Sequence, residues 1–396
     1  MSKAVLKITS MIVLLFAYSH GVSQKVEDYV QVIKTQGENP LKFAQRKLDT
    51  YDLLIFDDAL HNALEPFEYY EKLLGMDENK IEYVFIEVFG INQQRHIDAY
   101  LQSAEKDKSL LLKVFQDDFS GHGWRYETYL DLLSTVWDLN HSKSKKIKVK
   151  AVDQPIYWEG IHTREDYDAF LKSLVARDYF MYKTIIDYMG EFAEGKKGIF
   201  LTNTRHAYKQ VRDKRGKLYW NCGTFFKQWY PNKTYSLRIH NATLSIMKKA
   251  KSNANATSDG LAKYTYEWVK MENGIWDEAL SLNGNIPVAF SLQDNVFGQA
   301  GYIGNHMLNV EAGLAMYDAY DALVFLKPLD ELHFSGKVDF IYTNSFKTEL
   351  GRRIKILHEE KIDEFLSQNN VSSIPEYIES ISSYQKPTKN ELIRSR

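Results

Sequence analysis

Residues 81–90 read IEYVFIEVFG, ten positions with only two charged side chains, Glu82 and Glu87. The run is too short and too continuous for one face of a helix, so it reads as a strand buried on both faces, the habit of parallel sheets. Glu87 sits inside it, between Ile86 and Val88. A carboxylate left unpaired there would cost several kcal/mol of desolvation, so the strand demands a partner for it.

Working outward, the same kind of run recurs at YDLLIF (51–56), IKVKAVD (147–153), GIFLTNT (198–204) and DALVFL (321–326). Amphipathic stretches separate them. EPFEYYEKLLG (65–75) has Pro66 at its start and Gly75 at its stop. NQQRHIDAYLQSA (92–104) follows the second strand, and RYETYLDLLSTVWDLN (125–140) spaces Tyr129, Leu132, Leu133, Val136 and Trp137 at helical intervals. A long helix is expected from Thr163, with Glu165 and Asp166 in its first turn, to Gly195. Strands alternating with helices give right-handed βαβ units: an α/β fold, three-layer α/β/α, around a mostly parallel central sheet with additional helices.

In such sheets ligands bind beyond the carboxyl ends of the strands. At those ends stand Asp57, Asp58 and His61, then Glu87, then Asp153, then Asn203, Arg205 and His206. One polar strand end means little, and His61 alone reads equally well as a hydrogen-bonded structural histidine. The nearest partners for Glu87 in this topology are His61, Arg205 and His206. A carboxylate beside an imidazole orients it and raises its basicity, which suits general-base activation of water. His206, with Arg205, could polarise a carbonyl or stabilise an oxyanion. Asp57, Asp153, Asn203 and Arg205 complete the rim as candidate substrate contacts. Asp58, His61, Glu87 and His206 would also serve as ligands for Zn or Mn. Trp124 and Trp158 read as either pocket walls or core.

The chain contains no G-x-S-x-G elbow, no G-x-x-x-x-G-K-[ST] loop, no G-x-G-x-x-G and no H-E-x-x-H. Among 396 residues the net charge is -2, which gives no electrostatic case for nucleic acid. The expected partner is a small-molecule substrate. Lys3 and Lys7 precede the short apolar stretch ITSMIVLLFAYSHGVSQ (8–24), which reads as a secretory signal peptide cleaved next to Gln24, leaving no stable membrane span. Cys222 is the single cysteine, so no internal disulfide forms, and export without disulfides suits a bacterial periplasm. The expected organisation is a signal peptide over 1–24 and an α/β domain over 25–335, with room for a helical insertion around 240–285. A charged C-terminal helical tail over 336–396 would complete it.

FDDALHNALEPFEYYEKLL followed by EYVFIEVFGINQQRHIDAYL resembles the opening of the erythromycin esterase family, where a Glu-x-x-His motif after the first strand precedes a second strand ending in Glu. YETYLDLLSTVWDLN, VKAVD, ARDYFM, FLTNTRHAY and YDALVFL resemble later family motifs in the same order, from about Tyr51 to Leu332. The resemblance implies that Asp58 stands for the family's acidic residue, His61 for its first histidine, Glu87 for its second-strand glutamate and His206 for its late histidine. Arg177 and Asp178 match an Arg-Asp pair with a supporting role. Two departures stand out: Asp58 replaces Glu, and Asn203-Thr204-Arg205-His206 replaces His-Asn-x-His. The resemblance implies a hydrolase acting on an ester or related acyl bond without a cofactor, which the N-terminal segment makes an exported one. The wider superfamily also includes haem-binding and metal-dependent peptidase-like members. Haem or small-molecule binding, and metal-dependent hydrolysis with a divalent metal, are therefore the alternatives.

Overall fold

The computed structural model describes residues 25–144, 146–248, 264–304 and 310–393. The expected signal peptide over 1–24 lies outside them. Seven strands form the central sheet: β1 (Leu53–Asp57), β2 (Tyr83–Gly90), β3 (Lys148–Asp153), β4 (Gly198–Thr202), β5 (Thr234–Ile239), β8 (Val288–Ser291) and β9 (Ala322–Phe325), in the order β3-β2-β4-β1-β5-β9-β8. All pair in parallel except β8, which runs antiparallel to β9 at one edge. The mixed α/β, three-layer reading holds.

Alternation along the strands builds the layers. Leu54 and Phe56 of β1, with Val84 and Ile86 of β2, pack into one face; Leu53, Ile55, Tyr83 and Phe85 pack into the other. The first face is covered by helices Pro40–Thr50, Glu65–Gly75, Gln94–Gln102 and Glu127–Ser142. The second is covered by the helix over 25–36 and by Arg177–Tyr188, Cys222–Trp229 and Ile275–Leu282. Both faces are therefore dry, as the apolar run at 81–90 requires. No helix among the described residues is long and apolar enough to cross a membrane.

Three sequence expectations need correction. The single helix expected over 163–195 is two helices, Arg164–Ser173 and Arg177–Tyr188, parted by a 3-10 turn at Leu174–Ala176. The first is closed by a capping box between Thr163 and Asp166. The break places Arg177 and Asp178 at a helix start, aimed at the rim. Around 240–285 the described residues form an antiparallel pair, β6 (Thr243–Lys248) and β7 (Tyr264–Val269), before helix Ile275–Leu282, so the insertion is not simply helical. Strand β5 escapes notice because Ser236 and Arg238 interrupt its apolar pattern.

The segment after 336 is part of the domain. Residues Phe346, Leu350 and Ile354 of helix Asn344–His358 join the first core face. Arg353, 1 % exposed, donates to Gln116 O (2.7 Å) and Asp117 Oδ1 (2.6 Å). It thereby anchors the loop 117–125, whose turn uses Gly123 in the left-handed region (φ 85°), where a Cβ would press on Phe115 O and Ile341. Farther on, Gln385 bridges Lys337, and Thr388–Lys389 pairs with His333–Phe334.

Candidate active site

Glu87 gets its position from the sheet. Pairing between β2 and β4 ends at Ile86–Leu201, and the β2–β3 register shifts between Ile86 and Gly90. The irregularity frees the strand end to turn Glu87 toward the rim, a common use of a bulge. Its Oε2 accepts from Thr202 Oγ1 and from the backbone N–H of Asn203 (3.1 Å). Its Oε1 accepts from Arg177 Nη2 (3.0 Å) and lies 3.1 Å from His206 Nε2 and 3.6 Å from His61 Nε2. Burial alone would raise the Glu87 carboxyl; its interactions with His206 and His61 outweigh burial and hold the group well below the usual carboxylate range.

Arg177 neutralises the centre. Its guanidinium grips Asp153 through Nε–Oδ1 (2.6 Å) and Nη2–Oδ2 (2.9 Å), lies over the Phe119 ring, and places Nη1 3.1 Å from His206 Nε2. His206 Nδ1 is 2.8 Å from Asp178 Oδ1, which also accepts the backbone N–H of Cys222 (2.9 Å). Burial pushes His206 down, but Glu87 and Asp178 lift it to about 9. The Cys222 thiol is buried and raised well above its ordinary value, first by burial, so it packs and does not react.

His61 follows a strained turn. Ala59 has φ 59°, and its N–H is accepted by Asp57 Oδ1 (2.8 Å). His61 Nδ1 faces Asp58 Oδ2 at 3.4 Å and the Tyr129 hydroxyl at 3.3 Å; its Nε2 is 2.8 Å from Asn203 Nδ2. Trp124 packs edge-on against the ring, centroids 5.3 Å apart. Burial lifts Asp58 to about 6, and its Oδ1 is buried without a hydrogen-bond partner. Burial lowers His61, while Glu87 and Asp58 pull it up; the charged ring is reachable only when the amide donor leaves Nε2, because an amide N–H and an imidazolium N–H cannot share one bond.

The expected cluster of Asp58, His61, Glu87 and His206 therefore converges on one carboxylate, with Asn203 beside it. Other rim residues are placed differently. Asp57 is fully buried and committed to Thr204 Oγ1 (3.1 Å), Tyr320 OH (2.6 Å) and Ala59 N, with Arg238 at 3.6 Å. Asp153 is committed to Arg177. Both are scaffold rather than substrate contacts, because their oxygens are already occupied. Arg205 points away, exposed on the short helix Thr204–Ala207 that Asn203 caps. Sequence reasoning overlooked Tyr129 and Thr202, whose types match core and strand positions, and Arg238, hidden in the unrecognised β5. Trp124 packs against His61 and Tyr129; Trp158 is core, donating to Asp118 O (2.8 Å). A cleft of about 1000 Å³ opens elsewhere, along helix Ile275–Leu282 and the turn at 328–331, and holds none of these side chains.

As arranged, the donor set does not form a metal site. Two imidazoles and a carboxylate converge, but the Arg177 guanidinium already fills the charge-balancing role at Glu87 Oε1. As placed, each imidazole has both nitrogens engaged by protein partners. Among the described residues no group of three or more His, Cys, Asp or Glu is arranged to hold a metal.

The fold and rim define an α/β/α protein with a dry, doubly covered sheet and an ionic cluster at its carboxyl edge. The chain matches no protein-family model and no curated protein. Among solved structures, a succinoglycan biosynthesis protein aligns at 9 % identity over 76 % of this chain and 96 % of its own, with a TM-score of 0.51. A protein from Bacillus cereus aligns at 12 % identity over 77 % and 99 %, TM-score 0.47. An erythromycin esterase mutant in its open conformation aligns at 10 % identity over 73 % and 96 %, TM-score 0.48. At such identities the first of these likenesses is one of fold alone.

Proposed function

We propose that the protein is an exported hydrolase that cleaves an ester or related acyl bond of a small molecule with a His-activated water. The observation that carries this reading is the convergence of His61 and His206, from separate strand ends, on the buried Glu87 carboxylate. Paired imidazoles in unlike surroundings are what acid–base chemistry near neutral pH needs. The order of motifs from Tyr51 to Leu332 supports the same reaction class. The N-terminal segment supports export.

In this scheme His61 Nε2 exchanges its Asn203 partner for water and takes the water proton as the oxygen attacks the acyl carbon. Glu87 and Asp58 orient the ring and balance its charge. His206 assists at the oxyanion that forms. When the acyl C–O bond breaks, the leaving alkoxide takes the proton from His61, giving acid and alcohol. The test is turnover of a panel of aryl esters and lactones: His61→Ala and Glu87→Gln each abolish it in folded protein. Parent-like rates in both variants would falsify the assignment.

A further inference from the structure

Asn203 does more than cap a helix. Its Oδ1 accepts the backbone N–H of Arg205 at 2.9 Å, the bond that starts helix Thr204–Ala207. That bond fixes which end of the carboxamide is which: with Oδ1 committed to a donor, the NH2 group must be the end 2.8 Å from His61 Nε2. An amide NH2 can only donate. His61 Nε2 must then be the acceptor, and the ring proton belongs on Nδ1, facing Asp58 Oδ2 at 3.4 Å. Glu87 Oε1 does not compete for Nε2, because 3.6 Å is beyond hydrogen-bond length. The main chain reinforces the arrangement: the N–H of Asn203 itself donates to Glu87 Oε2, so the residue is tied to the cluster at two points.

We propose that Asn203 is the positioning residue for His61, holding it as the neutral Nδ1–H tautomer and covering the basic Nε2 lone pair until a ligand displaces the amide. The inference deepens the hydrolase reading and rests on it for its kinetic consequence, though the tautomer itself does not. A base kept neutral and shielded is ready to accept a proton as soon as the amide swings aside. His61 can carry a proton on Nε2 only if Asn203 leaves, so the charged and uncharged states of the ring are also two positions of one side chain.

The test is nitrogen-detected NMR of the full chain labelled with 15N-histidine, with the His61 signals assigned by their loss in His61→Gln. In the parent at pH 7 the expected pattern is a protonated Nδ1 and a bare Nε2. Asn203→Asp is nearly isosteric and keeps an oxygen for the helix cap, but replaces the donor with an acceptor. It should protonate Nε2 and raise the apparent pKa of His61 by roughly 1–3 units. Ester turnover at pH 7 should then fall about tenfold or more in kcat, with little change in KM. A parent spectrum showing doubly protonated His61 at pH 7 overturns the proposal, as does an unchanged tautomer in Asn203→Asp. Should that variant not fold, Asn203→Ser, which keeps a cap but loses the reach to Nε2, serves the same purpose. A parent with the expected tautomer but no turnover of any ester counts against the hydrolase reading alone.

Discussion

His61 and His206 occupy matching places on either side of Glu87, each with an aspartate at Nδ1 and an N–H group at Nε2. The match ends at the partners' chemistry. His206 is 8 % exposed, bonded at 2.8 Å to an aspartate that itself accepts a backbone N–H, and within 3.1 Å of the shared carboxylate. Arg177 Nη1 and Glu87 Oε1 both lie 3.1 Å from its Nε2, so ions on both sides set the state of this ring. His61 is 18 % exposed, 3.4 Å from an aspartate with an unpartnered oxygen, and 3.6 Å from the carboxylate. A neutral amide is what meets its Nε2. One imidazole is built into the scaffold by ions; the other is held by weaker, replaceable bonds. That asymmetry is the physical basis for giving them different roles.

The comparison is broken most completely by removing what the two halves share. Glu87→Gln leaves Arg177 and His206 facing a neutral amide, and should cost about 3–5 kcal/mol of unfolding free energy in urea titration, in addition to its effect on turnover. The pH dependence of stability then separates the halves. The folded His206 value of about 9 lies above the ordinary histidine value of 6.5, so its contribution is complete below about pH 6.5 and is lost as pH rises toward 9. His206→Gln should remove about 3 kcal/mol of that fall, visible as a flatter stability profile between pH 6.5 and 9. A profile as steep as the parent's would show that His206 is not the charged partner.

Smaller changes sharpen the His61 side. Tyr129→Phe deletes a hydroxyl 3.3 Å from Nδ1 and should cost about 1 kcal/mol of stability, measured by thermal unfolding. Arg205→Ala should change stability by no more than about 0.5 kcal/mol, because the residue is exposed. Its effect on KM reports whether substrate reaches that far along the rim; a stability loss of several kcal/mol would contradict the exposed placement.

What could be read from the sequence divides along similar lines. The strands carrying Asp57, Glu87, Asp153 and Thr202 are continuous apolar runs, and a buried glutamate inside one of them announces a partner. Residues that follow a strand within a few positions, such as His61 and His206, could therefore be brought together by topology. Side chains that approach from elsewhere could not. Arg177 and Asp178 reach the site because a helix breaks at Leu174–Ala176, and nothing in the periodicity of 163–195 marks that break. Strand β5 was hidden because Arg238, which would be improbable inside a core, is accommodated there by Asp57, Tyr320 and Thr243. The direction of the Asn203 amide depends on a bond to Arg205 that composition cannot reveal.

The loop carrying Phe119 and Trp124, which touch Arg177 and His61, is fastened from below by Arg353. Arg353 lies 236 residues after Asp117 in the sequence. A nascent chain can pair its strands and gather its charged groups early, but the loop beside His61 waits for helix Asn344–His358 to dock. The rim is thus completed only after the sheet, so a chain stalled or clipped before residue 353 would lack the anchor of the loop that touches Arg177 and His61.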